Sequence, residues 1–318
     1  MSLPASLQHL RLPVICAPMF IVSNPALVAA QCKSGIVGSF PALNARGEGM
    51  LDKWLTDLQA ELAADKAAGG TPAPFAVNQI VHPSNTRLVE DITVCLKHQV
   101  PVFITSLQAP PKELVDGAHA YGGIVLHDVI NVRHAKKAIE AGVDGLILVC
   151  AGAGGHAGML NPFALVGEIR QFYDGLIVLS GAIATGDAIL GAQAMGADLA
   201  YMGTRFICTS EANADAAYKK GIIDAAANDV IYTNLFTGVH GNYLRESIVN
   251  AGLDPDNLPV ADKTKMNFGS GGNSAAKAWK DIWGVGQGVG LIDDAPSTAE
   301  LVNQLESEYS AARARIAL

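Results

Sequence analysis

The chain has 318 residues, half of them apolar and only 16% charged, with a formal net charge of −8 and a pI near 5.4. That length accommodates one large α/β domain, alone or with a smaller one, around a sizeable core, and the sparse charge leaves surface for an oligomer interface. An acidic balance without clustered Lys/Arg excludes a nucleic-acid footprint, and no apolar window reaches the roughly 18 residues of a membrane-spanning helix.

In chain order, short apolar runs rich in β-branched residues are expected as strands at 14–19, 36–39, 75–79, 102–105, 123–126, 145–149, 176–179 and 199–202. Between them lie helix-length stretches rich in Ala, Leu, Lys and Glu, including 49–68, 84–98, 132–141 and 186–195. Near-continuous apolar strands alternating with helices define a parallel α/β structure, and eight such units in about 200 residues point to a (β/α)8 TIM barrel rather than an open sheet. From Thr209 to about Ser274 the rhythm breaks, so residues 209–274 are expected as a small, mainly helical inserted domain. Residues 1–208 and 275–318 then form the barrel. Within that scheme the spacing predicts a Gly-rich stretch at Asn267–Asn273, a helix over Ser274–Trp283, a Gly-rich run at 284–290 and a closing helix from about Thr298.

The chain opens Met-Ser-Leu-Pro-Ala-Ser, without the basic and apolar regions of a signal peptide. Its five cysteines (Cys16, Cys32, Cys95, Cys150, Cys208) form no C-x-x-C pair, which fits free thiols in a reducing cytoplasm. Cys150, with no basic neighbour to lower its pKa, reads as an inert strand-end residue.

The segment 152–158, Gly-Ala-Gly-Gly-His-Ala-Gly, follows the sixth predicted strand and sets one histidine in a collar of residues nearly without side chains. Glycine is used where backbone approaches a ligand closely, and histidine is the side chain most easily tuned for proton transfer near neutral pH. His156 is the candidate general base or hydrogen-bond donor, beside a flat ligand lying on Gly154 and Gly155. The seventh predicted strand ends in Ser-Gly-Ala-Ile-Ala-Thr-Gly (180–186) and the eighth in Met-Gly-Thr-Arg-Phe (202–206), the two places where barrels often bind phosphate. In the first strand Pro18 freezes the backbone so that Ala17 and Met19 can offer main-chain groups to a planar ring. Asn78 is a polar residue in an otherwise apolar strand, and His127 and Asp128 follow the fifth. A dinucleotide fold competes, since 152–157 matches G-x-G-x-x-A with Glu168 downstream, but the match falls in the sixth βα unit rather than the first. No H-x-x-x-H or H-E-x-x-H pair supports a metal, and no G-x-S-x-G elbow supports a serine hydrolase.

Taken together, 17–19 (Ala-Pro-Met), 75–78 (Phe-Ala-Val-Asn), 153–158 (Ala-Gly-Gly-His-Ala-Gly), 180–186, 202–206 and 286–290 (Gly-Gln-Gly-Val-Gly) resemble the nitronate monooxygenase family, formerly 2-nitropropane dioxygenases, in the right order over nearly the whole chain. The resemblance implies a barrel with a small helical domain over its mouth, non-covalent FMN, and oxidation of alkyl nitronates, with nitroalkanes as further substrates, by O2 to a carbonyl compound and nitrite. It implies that His156 is the catalytic base, that Gly181, Ala182, Gly203 and Thr204 hold the FMN phosphate, and that Ala17, Met19, Asn78 and Gln287 border the flavin. The sequence departs from the pattern at Val149, Cys150 and Gly152, and at Asp128, where some relatives have a lysine. An NAD(P)H:quinone reductase, a flavin-dependent enoyl-thioester reductase, and a flavin-binding protein without turnover are the competing readings. No metal, nucleic acid or membrane is expected; a cytoplasmic homo-oligomer is.

Overall fold

The computed structural model describes residues 3–261 and 280–317. Eight strands form the barrel: β1 (Val14–Cys16), β2 (Gly38–Pro41), β3 (Phe75–Val81), β4 (Val102–Leu107), β5 (Ile124–Val129), β6 (Gly145–Val149), β8 (Leu176–Ser180) and β9 (Leu199–Met202), with the two-residue β7 (Gly155–His156) outside it. All neighbours in the order β1-β9-β8-β6-β5-β4-β3-β2 pair in parallel. A parallel bridge between Ile15 and Val37 brings β1 against β2 and closes the ring. This is the expected eight-stranded barrel. Strand β1 stops three residues earlier than the apolar run suggests, because Pro18 has no N–H to continue the ladder.

Side chains alternate across each strand, and the barrel uses both faces. The outward face packs beneath α1 (Pro25–Lys33), α2 (Met50–Ala67), α3 (Leu88–Lys97), α4 (Lys112–His119), α5 (Val132–Glu140), α6 (Pro162–Arg170) and α7 (Gly186–Ala194) in one continuous apolar shell. Inward, Ile15, Val37, Ala76, Ile104, Leu126, Ile147, Val178 and Leu199 fill the barrel. Two residues further along most of the same strands the inward positions turn polar, with Ser39, Asn78, Ser106, Asp128, Ser180 and Tyr201. That polar layer lies at the C-terminal ends of the strands, where barrels place their chemistry.

Helix starts follow local capping chemistry. Asn24 accepts the Leu27 N–H ahead of Pro25, Asn131 accepts His134 N–H, and Thr185 Oγ1 accepts Ala188 N–H. After β9 come the four-residue α8 (Thr204–Ile207) and then the insertion, whose described residues hold α9 (Ala216–Ile223) and α10 (Arg245–Asn250). They also hold an antiparallel pair, β10 (Val230–Thr233) and β11 (Gly241–Leu244), that no sequence pattern announced. The Gly-rich stretch at Asn267–Asn273 and residues 274–279 of the expected helix lie outside the described residues; residues 280 and 281 form a turn. The closing helix α11 (Thr298–Ile316) starts on a Ser297–Glu300 capping box and packs on α7, where Gly186 lets the two backbones meet.

Candidate active site

A cavity of about 440 Å³ opens at the C-terminal mouth of the barrel, within the range of cofactor and small-molecule pockets. Its wall brings together Ala17, Met19, Asn78, Gly154, Gly155, His156, Gly181, Ala182, Gly203 and Thr204, residues that lie up to nearly 190 positions apart in the chain. Gln287 does not line it. Gly286 and Gly288 do, while Gln287 sits behind the collar with its N–H on the Gly152 carbonyl at 2.9 Å.

The collar is shaped by its glycines. Gly152 has φ +84°, and its carbonyl also accepts Ala182 N–H at 3.2 Å, which ties the sixth loop to the seventh. A Cβ on Gly154 would stand 2.8 Å from Gly286 N and 3.0 Å from Thr204 Oγ1. The Ala182 amide is thus committed within the protein, and Ala182 itself takes φ +54°. The Gly181 and Gly203 amides donate to no backbone carbonyl among the described residues. Arg205, 1% exposed, anchors the turn after β9 from behind through the Asp294 carboxylate and carbonyl.

His156 is placed by an unexpected element. Strand β7 pairs antiparallel with β11, His156 opposite Gly241, and Ala157 N–H reaches the His240 carbonyl at 3.1 Å. His156 Nε2 lies 2.9 Å from Thr237 Oγ1, whose hydroxyl donates to the Val239 carbonyl at 3.0 Å. A neutral imidazole carries one protonated nitrogen and one lone pair, and Nε2 is the nitrogen that Thr237 holds. Burial lowers the imidazole pKa to about 4, so the ring is neutral at pH 7.

On the floor, Asn78 Nδ2 donates to the Ile104 carbonyl and to Ser106 Oγ. Ser106 donates to Asp128 Oδ2 at 2.6 Å. Asp128 Oδ1 and the Tyr201 hydroxyl are buried without hydrogen-bond partners among the described residues. Sequence reasoning noted Asp128 but not Ser106, Tyr201 or Thr237. Polar residues two apart in apolar strands were the signal available for the first two. His127 points the other way, onto Thr105 Oγ1 at 2.7 Å, and is structural. Cys150 is buried outside the cavity lining, and burial raises its thiol pKa to about 12. Among the described residues no helix is long and apolar enough to cross a membrane.

A TIM barrel with a main-chain-walled cavity and a neutral histidine at its mouth is the framework of a cofactor-dependent enzyme rather than of a scaffold. The nitronate monooxygenase family model matches residues 3–308, and the chain belongs to that family, whose members are flavin-dependent oxidoreductases. It is 28% identical to a nitronate monooxygenase of Paraburkholderia phytofirmans over 93% of this chain and 92% of that one. To a nitronate monooxygenase of Neurospora crassa it is also 28% identical, over 93% and 88%. Among solved structures, a nitroalkane oxidase of Streptomyces ansochromogenes superposes with TM-score 0.76 at 23% identity, covering 98% of this chain and 100% of that one. FabK of Thermotoga maritima gives 0.75 at 23% identity over 98% and 96%, a likeness of fold.

Proposed function

We propose that the chain is an FMN-dependent enzyme that oxidises alkyl nitronates, and nitroalkanes as their protonated forms, with O2 to a carbonyl compound and nitrite. The observation that carries this reading is His156: a neutral imidazole held by Thr237 in a glycine collar, in a state that can take a proton. The cavity fits the cofactor on two counts: its size suits a mononucleotide, and Gly154, Gly155, Gly181 and Gly203 line it without side chains.

In this reading the Gly181, Gly203 and Thr204 main chain receives the phosphate, with Ala182 shaping the turn. Ala17, Met19, Asn78, Gly154 and Gly155 border the ring. Gln287 supports the collar from behind. FMN supplies the electron chemistry once bound. The His156 imidazole takes the proton from the carbon next to the nitro group of a neutral substrate, and general-base catalysis of this kind contributes about 10²–10⁴ in rate. The insertion expected at 209–274, described over 209–261, serves as a small domain over the mouth of the barrel. Exposed Met159 and Phe163 support a homo-oligomer, and the free cysteines a cytoplasmic one.

One observation favours a second reading, an NAD(P)H:quinone or enoyl-thioester reductase. No Lys or Arg among the described residues lines the cavity, so an uncharged acceptor suits it as well as an anion. Anaerobic mixing of the yellow protein with a nitronate and separately with NADPH separates the two. Flavin bleaching by nitronate is expected; bleaching by NADPH alone overturns the nitronate reading.

A further inference from the structure

Three adjacent strands lay a directed hydrogen-bonded row across the barrel floor. Asn78 on β3 donates to Ser106 on β4 at 2.8 Å, and Ser106 donates its single proton to Asp128 Oδ2 on β5 at 2.6 Å. Ser106 thus satisfies one oxygen of the Asp128 carboxyl, Oδ2, by a single neutral hydrogen bond. Oδ1 is buried and has no partner among the described residues.

Asp128 is also electrically alone. Among the described residues no Lys, Arg or second carboxylate lines the cavity, and Arg133 on the neighbouring α5 is exposed outside it. An ionised Asp128 would therefore be a desolvated charge with one neutral hydrogen bond to compensate it. Burial raises its pKa to about 7, the Ser106 bond opposing. The other titratable groups facing the cavity keep their state across neutral pH. Burial holds His156 neutral down to about 4. Burial, with Arg133 and Lys137, lowers the pKa of His134 at the rim. Burial, with Asp128 and Cys16, raises Tyr201 well above its ordinary value, and burial raises Tyr218 on the wall-forming helix α9 likewise. One carboxyl decides the net charge of the cavity near pH 7.

We propose that Asp128 is the charge selector of this cavity: uncharged, it admits a small planar anion such as a nitronate to the floor, and ionised, it rejects the anion and leaves only uncharged molecules able to bind. The inference deepens the functional reading above and rests on it only for the identity of the anion.

Propionate has the size and planar charge of a small nitronate and stays ionised above about pH 6; propionamide is its uncharged counterpart. Calorimetric titration of the protein as purified, from about pH 6 to about pH 9, should show propionate affinity falling toward tenfold per unit above the Asp128 pKa, with propionamide unchanged. Asp128→Asn keeps an acceptor for Ser106 and cannot ionise, so it should bind propionate without that fall. Infrared spectroscopy adds a ligand-free reading: the C=O stretch of a buried carboxylic acid, present near pH 6, lost near pH 9 and missing from Asp128→Asn. Parallel propionate profiles in the two proteins, no propionate binding by either, or no acid band lost in Asp128→Asn overturns the proposal. A protein that takes up no FMN sinks the functional reading instead, while the infrared band and the propionate profiles still decide Asp128.

Discussion

Gly154→Ala tests the geometry of the collar with one methyl group. Gly154 is not at positive φ, so the substitution acts through space alone. Its Cβ would lie 2.8 Å from Gly286 N, 3.0 Å from Val285 C and 3.0 Å from Thr204 Oγ1. Two of these three are backbone atoms and cannot swing aside as a side-chain end could. Relief requires the 284–288 turn to retreat, which strains the Gly286 N–H to Thr204 Oγ1 hydrogen bond of 2.9 Å. Overpacking of this kind costs about 1–3 kcal/mol and a lost hydrogen bond about 0.5–1.5 kcal/mol. If about 2 kcal/mol of the sum falls on the ligand-competent arrangement, FMN affinity drops about 30-fold. Flavin fluorescence titration measures that affinity, and the thermal midpoint of the flavin-free protein measures the cost to the fold. Gly167→Ala is the control: it lies exposed in α6 with nothing within 4 Å of its Cβ, so alanine should stabilise by about 0.5–1 kcal/mol and leave FMN untouched. A Gly154→Ala protein that binds FMN within about twofold of the parent and melts at the same temperature refutes the close approach.

His156→Asn should retain FMN and lose about 10²–10⁴ in turnover of neutral nitroalkanes, with less effect on preformed nitronates, read by steady-state kinetics on both forms; equal losses on the two would remove its role as base. Tyr218→Phe deletes the hydroxyl donated to the Gly284 carbonyl at 2.6 Å while keeping the ring stacked on Trp283 at 5.0 Å, so urea unfolding should report about 1–3 kcal/mol lost. Stability should also depend on Asp128. Its native pKa of about 7 lies above the ordinary 3.8, so the folded protein holds a proton that the unfolded chain releases, and stability is lost as pH rises through that window. Asp128→Asn should therefore gain on the parent between about pH 5 and pH 8 by up to about 2.7 kcal/mol, less whatever water in the cavity screens. A constant difference between the two urea midpoints across that range would show that the carboxyl does not titrate there.

The barrel was legible because each of its strands carries its own signal. Residues 145–149 and 176–179 are short, buried and apolar, and the loops between units are short enough that chain order nearly determines neighbour order. The glycine collar and the two turns after β8 and β9 were legible for a related reason: they sit at strand ends, and a barrel brings all strand ends to one rim. What was not legible depends on pairing between distant segments. Residues 230–233 and 241–244 have modest strand character alone, and nothing local says that 241 lies opposite 156. The floor was only half visible. Asn78 stood out in an apolar strand, but the directed row through Ser106 to Asp128 exists only because β3, β4 and β5 adopt a particular register.

That register also explains why the insertion matters to chemistry. His156 leaves the barrel in a segment of two collar residues that has no helix or long ladder to hold it. Its backbone is fixed by Gly241 and His240, its ring by Thr237, and the preceding Ala153 carbonyl by Asn242 Nδ2 at 2.7 Å. All four partners belong to the stretch 237–242. The barrel thus supplies the floor and the glycine turns, while the insertion supplies the orientation of the histidine. A histidine on glycines alone would sample many rotamers, and the ordering entropy of a proton acceptor would then be charged to each turnover. Gripping it from a second sheet moves that cost into folding.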